Sequence, residues 1–435
     1  MSAAEPRPLL GAPGNPTRMS STSAHHWNLD PAVTFLNHGS FGATPRAVLA
    51  IQDQLRADME SEPVRFMVER LEPLLDNSRR VLARFVGAAP EDLVFVPNAT
   101  AAVNAVVRSL RFAPGDELLT INHGYNACIN VLREAADRSG ARVVVAEVEP
   151  FPDSPRQLLD AFVRHCTPRT KLAMVCHVTS PTALLLPIEE IVGALQSRGV
   201  EVLVDGAHGP GMHEVHLDRL GAAYYTANCH KWLCSPKGSA FLHVRRDRQP
   251  GIRPHIISHG ANSTRTDRSR FLLEFDWTGT IDPTPALCIP AAIDAMAKIW
   301  RAAGSPATVN AELKPAAVDQ EAWAGIRVHN HDLALFGRRA IADSLGSPLT
   351  VPDTMIGSTA SVPLPNGSGD RPPPNPYPDP AQRRLIDELG IQVPISHFPG
   401  WPRRLIRVSA QLYNSREQYA RLAEVLPRVL RDSAG

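Results

Sequence analysis

The chain has 435 residues, 43% hydrophobic and 20% charged, the balance of a globular protein long enough for two or three cores. Lys and Arg number 45 against 44 Asp and Glu, so the basic footprint of a DNA- or RNA-binding protein is missing and nucleic acid is not expected as a partner. No apolar run reaches the roughly 18 residues that span a bilayer, and the six cysteines form no C-x-x-C pair, which fits reduced thiols in a cytoplasm.

Residues 1–30 are rich in Pro, Ser and Ala, lack a signal-peptide core, and are expected to form a loose extension. From 31 to about 300, β-branched runs alternate with helix-like segments, the pattern of an α/β domain whose largely parallel sheet is covered by helices. Seven strands are predicted, at 93–97, 117–121, 142–148, 171–178, 200–205, 222–228 and 239–244, with helices at 100–110, 126–140 and 188–199 among them. The last two helices end at glycine, a common helix stop. Residues 301–435 read as a smaller α+β domain. It contains a helix-prone stretch at 329–346, a Pro-, Gly- and Asn-rich segment at 363–380 read as an exposed loop, a helix from Ala381, a strand in RRLIRVSA (403–410), and an amphipathic helix from Ser415. No internal repeat is present.

Three stretches of the larger domain carry chemistry. In VPNATAAVNAVV (96–107) a strand runs through small residues into a helix, so free backbone N–H groups and the Thr100 hydroxyl can face an anion, although Asn or Thr at a helix start is also an ordinary cap. In VLVDGAHGPG (202–211) an apolar strand delivers Asp205 at its C-terminal end, the edge where open α/β sheets bind ligands, and His208 follows closely. In TANCHKWLCSPKGS (226–239), Lys231 lies just past the next strand. The chain holds only five lysines, Lys171, Lys231, Lys237, Lys298 and Lys314, beside 40 arginines, so a lysine here asks for a reason. It is a solvated strand-end lysine, a Schiff-base amine, or a neighbour of a Cys/His metal site. An anion-binding helix start, an acid for a ring nitrogen and an amine for an aldehyde, on neighbouring strand ends, are together what pyridoxal 5'-phosphate requires.

The run DGAHGPG, then NCHKWL, then GSAFLHV resembles the active-site core of the class V aminotransferase group of fold-type I pyridoxal phosphate enzymes. FLNHGSFGATP (35–45), HGYNA (123–127), EFDWTGTIDPTP (274–285) and LIRVSAQLYN (405–414) resemble its isopenicillin N epimerase-like branch, over about residues 33–427 and in the family's order. That branch includes cysteine-conjugate C-S lyases and lincosamide-pathway enzymes that process S-glycosylated cysteine. The resemblance implies Lys231 as the Schiff-base lysine, Asp205 as the partner of the pyridine nitrogen and His208 beside the phenolic oxygen. It implies Ala99, Thr100, Asn228 and His230 around the phosphate, His123 or Tyr125 over the ring, and Ser180 and Thr182 at the ring hydroxyl. Gly279 and Thr280 resemble residues that reach the neighbouring subunit's phosphate, which implies a homodimer with shared sites. Arg407 resembles the clamp for an α-carboxylate, with Asn37 nearby.

Two rivals come from other classes. A metal hydrolase would draw on Asp205, His208, His213, His216, Cys229, His230 and Cys234, but their spacing fits no usual metal pattern, and none is expected. A non-catalytic cofactor-binding regulator would bring a basic DNA-binding module, which this chain lacks. Within the family, cysteine desulfurases need a nucleophilic cysteine on a loop near the carboxylate arginine, and Val-Ser-Ala-Gln-Leu-Tyr-Asn follows Arg407 without one. Cys229 and Cys234 are expected to pack. The expected substrate is a small-molecule amino acid, an S-conjugated L-cysteine of a specialised biosynthetic pathway such as antibiotic production. β-Elimination is the first expectation, with decarboxylation-coupled deamination or epimerisation behind it; return of a proton to the opposite face would need His123 or Tyr125.

Overall fold

A two-residue strand, β1 (Thr34–Phe35), precedes the seven strands of the central sheet: β2 (Leu93–Val96), β3 (Glu117–Ile121), β4 (Arg142–Ala146), β5 (Thr170–Cys176), β6 (Glu201–Asp205), β7 (Tyr224–Asn228) and β8 (Ala240–Val244). The computed structural model describes residues 21–302, 305, 308–368, 372 and 379–433; the first twenty residues of the expected extension and residues 369–371 and 373–378 of the Pro-rich segment lie outside them. The strand order is β2-β8-β7-β6-β5-β3-β4, with β8 antiparallel to both neighbours and every other pairing parallel. The sheet is thus α/β and mostly parallel, and all seven predicted strands form.

Strand side chains alternate between two cores. Leu172, Met174 and Leu203 face one side with Val103, Val106 and Leu132, from the helices Ala99–Ser109 and Asn126–Ser139. Ala173, Val175, Val202 and Val204 face the other with Leu82, Phe162 and Ile191, from Leu71–Val86, Pro155–His165 and Ile188–Gln196. Both faces are therefore covered, which is why β3, β7 and β8 are buried along their whole length.

The C-terminal region builds an antiparallel sheet in the order β11-β12-β9, from β9 (Thr359–Leu364), β11 (Ile395–His397) and β12 (Arg404–Ser409). Helices Gln320–Leu345 and Arg416–Asp432 pack beside it, the latter opened by a capping box at Ser415. The N-terminal segment joins this region. β1 pairs in parallel with β10 (Ile391–Gln392), and the Ser409 N–H donates to Leu36 O at 2.8 Å. Trp27 is buried, edge-on to Tyr413 at 5.2 Å between ring centroids. These contacts bring residues 37–42 up to β12 on one side and to the loop after β7 on the other.

Candidate active site

Parallel strands open their C-terminal ends on one edge, so the loops leaving β2, β3, β5, β6 and β7 converge there. Asp205 ends β6 and is buried; its Oδ1 accepts the Ala207 N–H at 3.1 Å, and among the described residues its Oδ2 meets only the weak S–H donor of Cys128 at 3.5 Å. Burial pushes its carboxyl pKa up. Asn228 ends β7, and its Oδ1 accepts the Ala99 N–H at 2.8 Å, which ties the strand end to the first residue of the helix that carries Thr100.

Lys231 follows three residues later, with Nζ 3.0 Å from His208 Nε2. Burial, then the Arg407 cation, push its pKa down to about 8, against the pull of Asp205. His230 donates through Nδ1 to Ser239 O at 2.8 Å, leaving Nε2 for another partner, and burial pushes its pKa down to about 4.

His123 and Tyr125 leave β3 in different settings. His123 is fully buried: its Nε2 faces Val148 O at 3.1 Å and must donate there, so its Nδ1 accepts the Thr182 hydroxyl at 2.7 Å. Tyr125 is 48% exposed. Thr182 also bonds Thr179 at 2.7 Å. Its loop partner Ser180 instead accepts from Arg407, through its carbonyl and, at 3.4 Å, its hydroxyl. Arg407, buried on β12, reaches Ser40 Oγ with its other terminal nitrogen at 2.8 Å, and Ser40 donates to Asn37 Oδ1 at 2.7 Å. The arginine, Asn37 and Ser180 thus form one polar wall, while Thr182 belongs with His123.

Gly279 and Thr280 make no hydrogen bond to this cluster among the described residues. They sit on the loop between helices Arg270–Asp276 and Thr284–Leu287, where Gly279 lines a cavity of about 330 Å³ with Pro97, Gly238 and Trp277. Cys229 and Cys234 are core residues, and burial pushes both thiols up. The residues weighed as metal ligands are spread over several roles: His216 bonds Glu214 at 2.9 Å, and the ring of His213 meets that of His177.

Three neighbours of Lys231 were not singled out from sequence. His38 donates through Nε2 to Lys231 O at 3.1 Å and accepts the Tyr413 hydroxyl at Nδ1, at 2.8 Å. Gly42 lies against the same loop: a Cβ there would stand 2.4 Å from His230 O and 2.8 Å from Lys231 O. Trp232 donates its indole N–H to His208 Nδ1 at 3.2 Å. All three stand in the motifs NHGS, SFGATP and HKWL, but nothing local marks His38 or Gly42, whose partners lie nearly 200 positions away, or the contact of Trp232 with His208, 24 positions away.

These groups fit pyridoxal phosphate. Asp205 is a buried acid whose Oδ2 has, among the described residues, only a thiol for partner, so a ring N–H satisfies it better; Lys231 offers an amine; and the helix start at Ala99 faces the same edge. The family model described as aminotransferase class V matches residues 35–297, more than half of the chain. An isopenicillin N epimerase of Streptomyces clavuligerus is 31% identical over 412 residues, covering 92% of this chain and 95% of that protein. A probable chloroplastic L-cysteine desulfhydrase of Arabidopsis thaliana is 28% identical, covering 98% and 89%. The apo cysteine desulfurase of Thermococcus onnurineus NA1 superposes with a TM-score of 0.72 over 94% of this chain and 98% of its own; at 19% identity this shows the fold alone. The chain belongs to the class V aminotransferase family and is a pyridoxal phosphate-dependent enzyme, related to isopenicillin N epimerases and L-cysteine desulfhydrases.

Proposed function

We propose that the protein cleaves the C–S bond of an S-conjugated L-cysteine by β-elimination, in a specialised biosynthetic route. The cofactor, held by Lys231, Asp205 and the helix start at Ala99, supplies an electron sink for the bonds at the substrate's α-carbon. Arg407 takes the α-carboxylate in its fork, with Ser40, Asn37 and Ser180 fixing the guanidinium. Lys231, as a free amine, takes the α-proton. Its lowered basicity suits that work near neutral pH. His208 and Asp205 hold the ring's polar atoms, and Asn228, His230 and Thr100 its phosphate.

The observation that carries elimination over epimerisation is the setting of His123. Both of its ring nitrogens are engaged, with Val148 O and Thr182, so it is poorly placed to return a proton from the opposite face. The cysteines argue against sulfur transfer to the protein: five are buried, and the sixth, Cys166, caps a helix elsewhere. The desulfhydrase relative supports C–S chemistry, while the epimerase relative keeps racemisation through Tyr125 as the second reading.

A homodimer belongs to the same proposal. Val68, Ile256 and Ile281 are 75%, 49% and 59% exposed, and they border two cavities that share Leu71, Leu75 and Trp277. That apolar surface, beside Gly279, suits a second copy that shares the site. Among the described residues no helix is long and apolar enough to cross a membrane. A panel of S-substituted cysteines tests the reaction: pyruvate with ammonia and a thiol or sulfenate supports elimination. Carbon dioxide with an aldehyde indicates decarboxylative deamination, and loss of α-chirality alone indicates epimerisation; either result refutes the first reading.

A further inference from the structure

The histidine beside Lys231 has one self-consistent arrangement of protons. An indole N–H only donates, and that of Trp232 points at His208 Nδ1 from 3.2 Å, so Nδ1 carries a lone pair. Burial, with the Arg407 cation adding to it, holds the His208 pKa well below its usual value, so the ring is neutral and its single proton sits on Nε2. Nε2 lies 3.0 Å from Lys231 Nζ. An ammonium has no lone pair and would set donor against donor there; a free amine accepts the N–H.

The seat of the indole is built for this contact. Trp232 is 1% exposed and packs on Val178, Met212 and Leu185. Two glycines leave it room: a Cβ at Gly39 would stand 3.4 Å from its Cζ2, and one at Gly211, at φ +89°, 2.8 Å from its carbonyl carbon. The remaining groups around the amine pull in opposite directions. Asp205 and Cys128 favour the ammonium, whereas burial and Arg407 oppose it. His230 is itself disfavoured as a cation by Lys231, and His38 faces His208 while bonding the Lys231 carbonyl. The His208 N–H is therefore placed to decide the balance.

We propose that Trp232 is a positioning residue: by fixing His208 as the Nε2–H tautomer, it holds Lys231 as the free amine that condenses with the cofactor's aldehyde. In that condensation the nitrogen bonds the aldehyde carbon and the aldehyde oxygen leaves as one water. The inference rests on the pyridoxal phosphate reading of the site and goes beyond it to a residue that does not touch the cofactor's aldehyde. It is independent of which bond of the substrate breaks.

The test uses the full chain stripped of cofactor and follows capture of added pyridoxal phosphate by visible absorption as a function of pH, in the unsubstituted chain, Trp232→Phe, His208→Gln and the double variant. Glutamine keeps an N–H near the Nε2 position without needing an indole to fix it. Trp232→Phe is expected to raise the pH midpoint of capture by about one unit, slowing capture about tenfold below the midpoint. In the His208→Gln background the same substitution is expected to leave the midpoint where it is. An unchanged midpoint in the single variant overturns the proposal, as does an equal shift in both backgrounds, which would mean that the indole acts through packing. Nitrogen-15 shifts of His208 in the stripped, unsubstituted chain decide independently should the phenylalanine variant fail to fold: an Nε2–H signature supports the proposal, and an Nδ1–H signature overturns it. Failure of the cofactor to bind the unsubstituted chain at all would instead overturn the reading on which the proposal rests.

Discussion

Replacing Arg407 with methionine removes a guanidinium whose two terminal nitrogens reach Ser180 and Ser40 and whose positive charge faces Lys231. A carboxylate held by the fork forms two charge-assisted hydrogen bonds, each contributing about 1.5–3 kcal/mol. Loss of the pair is expected to cost about 3–6 kcal/mol in kcat/KM, roughly 10²- to 10⁴-fold. Because the carboxylate is gripped alike before and during the reaction, most of the loss falls on KM. A second consequence is separable from the first. Arg407 follows burial as a cause of the low Lys231 pKa, so its removal raises that value from about 8 and shifts the pH at which the stripped chain captures cofactor upward. Arg407→Lys keeps the charge without the fork, and is expected to restore the pH behaviour but not KM. Steady-state kinetics on the best S-substituted cysteine and on its α-carboxamide provide the assay. An Arg407→Met protein that keeps its KM and still prefers the acid over the amide would place the clamp elsewhere.

Asp205→Asn keeps the shape but offers the ring nitrogen a neutral partner; loss of a charged hydrogen bond of about 1.5–3 kcal/mol predicts turnover slower by about ten- to a hundredfold with the cofactor still attached to Lys231, and unchanged turnover would contradict the role of the acid. Gly42→Ala drives a methyl into His230 O and Lys231 O and is expected to destabilise the chain by about 1–3 kcal/mol, read by denaturant melting; a neutral result would mean that the loop moves freely. In the cofactor-free chain the folded Lys231 titrates at about 8 and the unfolded one near 10.5, so the unfolded state holds more protons between those values. Stability therefore rises with pH across that window and is lower below it by about 3 kcal/mol. Lys231→Met is expected to abolish that slope, and a variant as pH-dependent as the parent would assign it to another group.

The sheet was legible because its strands are short β-branched runs whose alternate residues must satisfy two cores, as Leu203 does between Val202 and Val204. The helix end at Gly140 followed from the same local chemistry, whereas the helix expected to stop at Gly199 ends at Gln196, three residues before that glycine; both glycines take positive φ. The long helices Arg46–Ser61 and Leu71–Val86 were not marked, since their apolar positions are interleaved with arginines and acids that pair on the surface and along the buried Arg79. Nor does sequence show that β1 pairs with β10 across more than 350 positions, which is what brings His38 and Ser40 to Lys231 and Arg407. The positions of Asp205 at a strand end, Thr100 at a helix start and Lys231 just past a strand were readable, because each is set by local chain pattern. Trp232 was not, because its meaning lies in the hydrogen bond it donates to His208, a matter of geometry.

The central claim is that Lys231 carries the cofactor, and borohydride reduction of the purified, cofactor-loaded protein followed by peptide mapping tests it most directly. With five lysines in the chain, the map resolves every one. The account predicts that the reduced label lies on the peptide containing Lys231 and that Lys231→Ala lacks the visible band. A label on Lys237 or another lysine, or a Lys231→Ala protein that keeps the band, would contradict it.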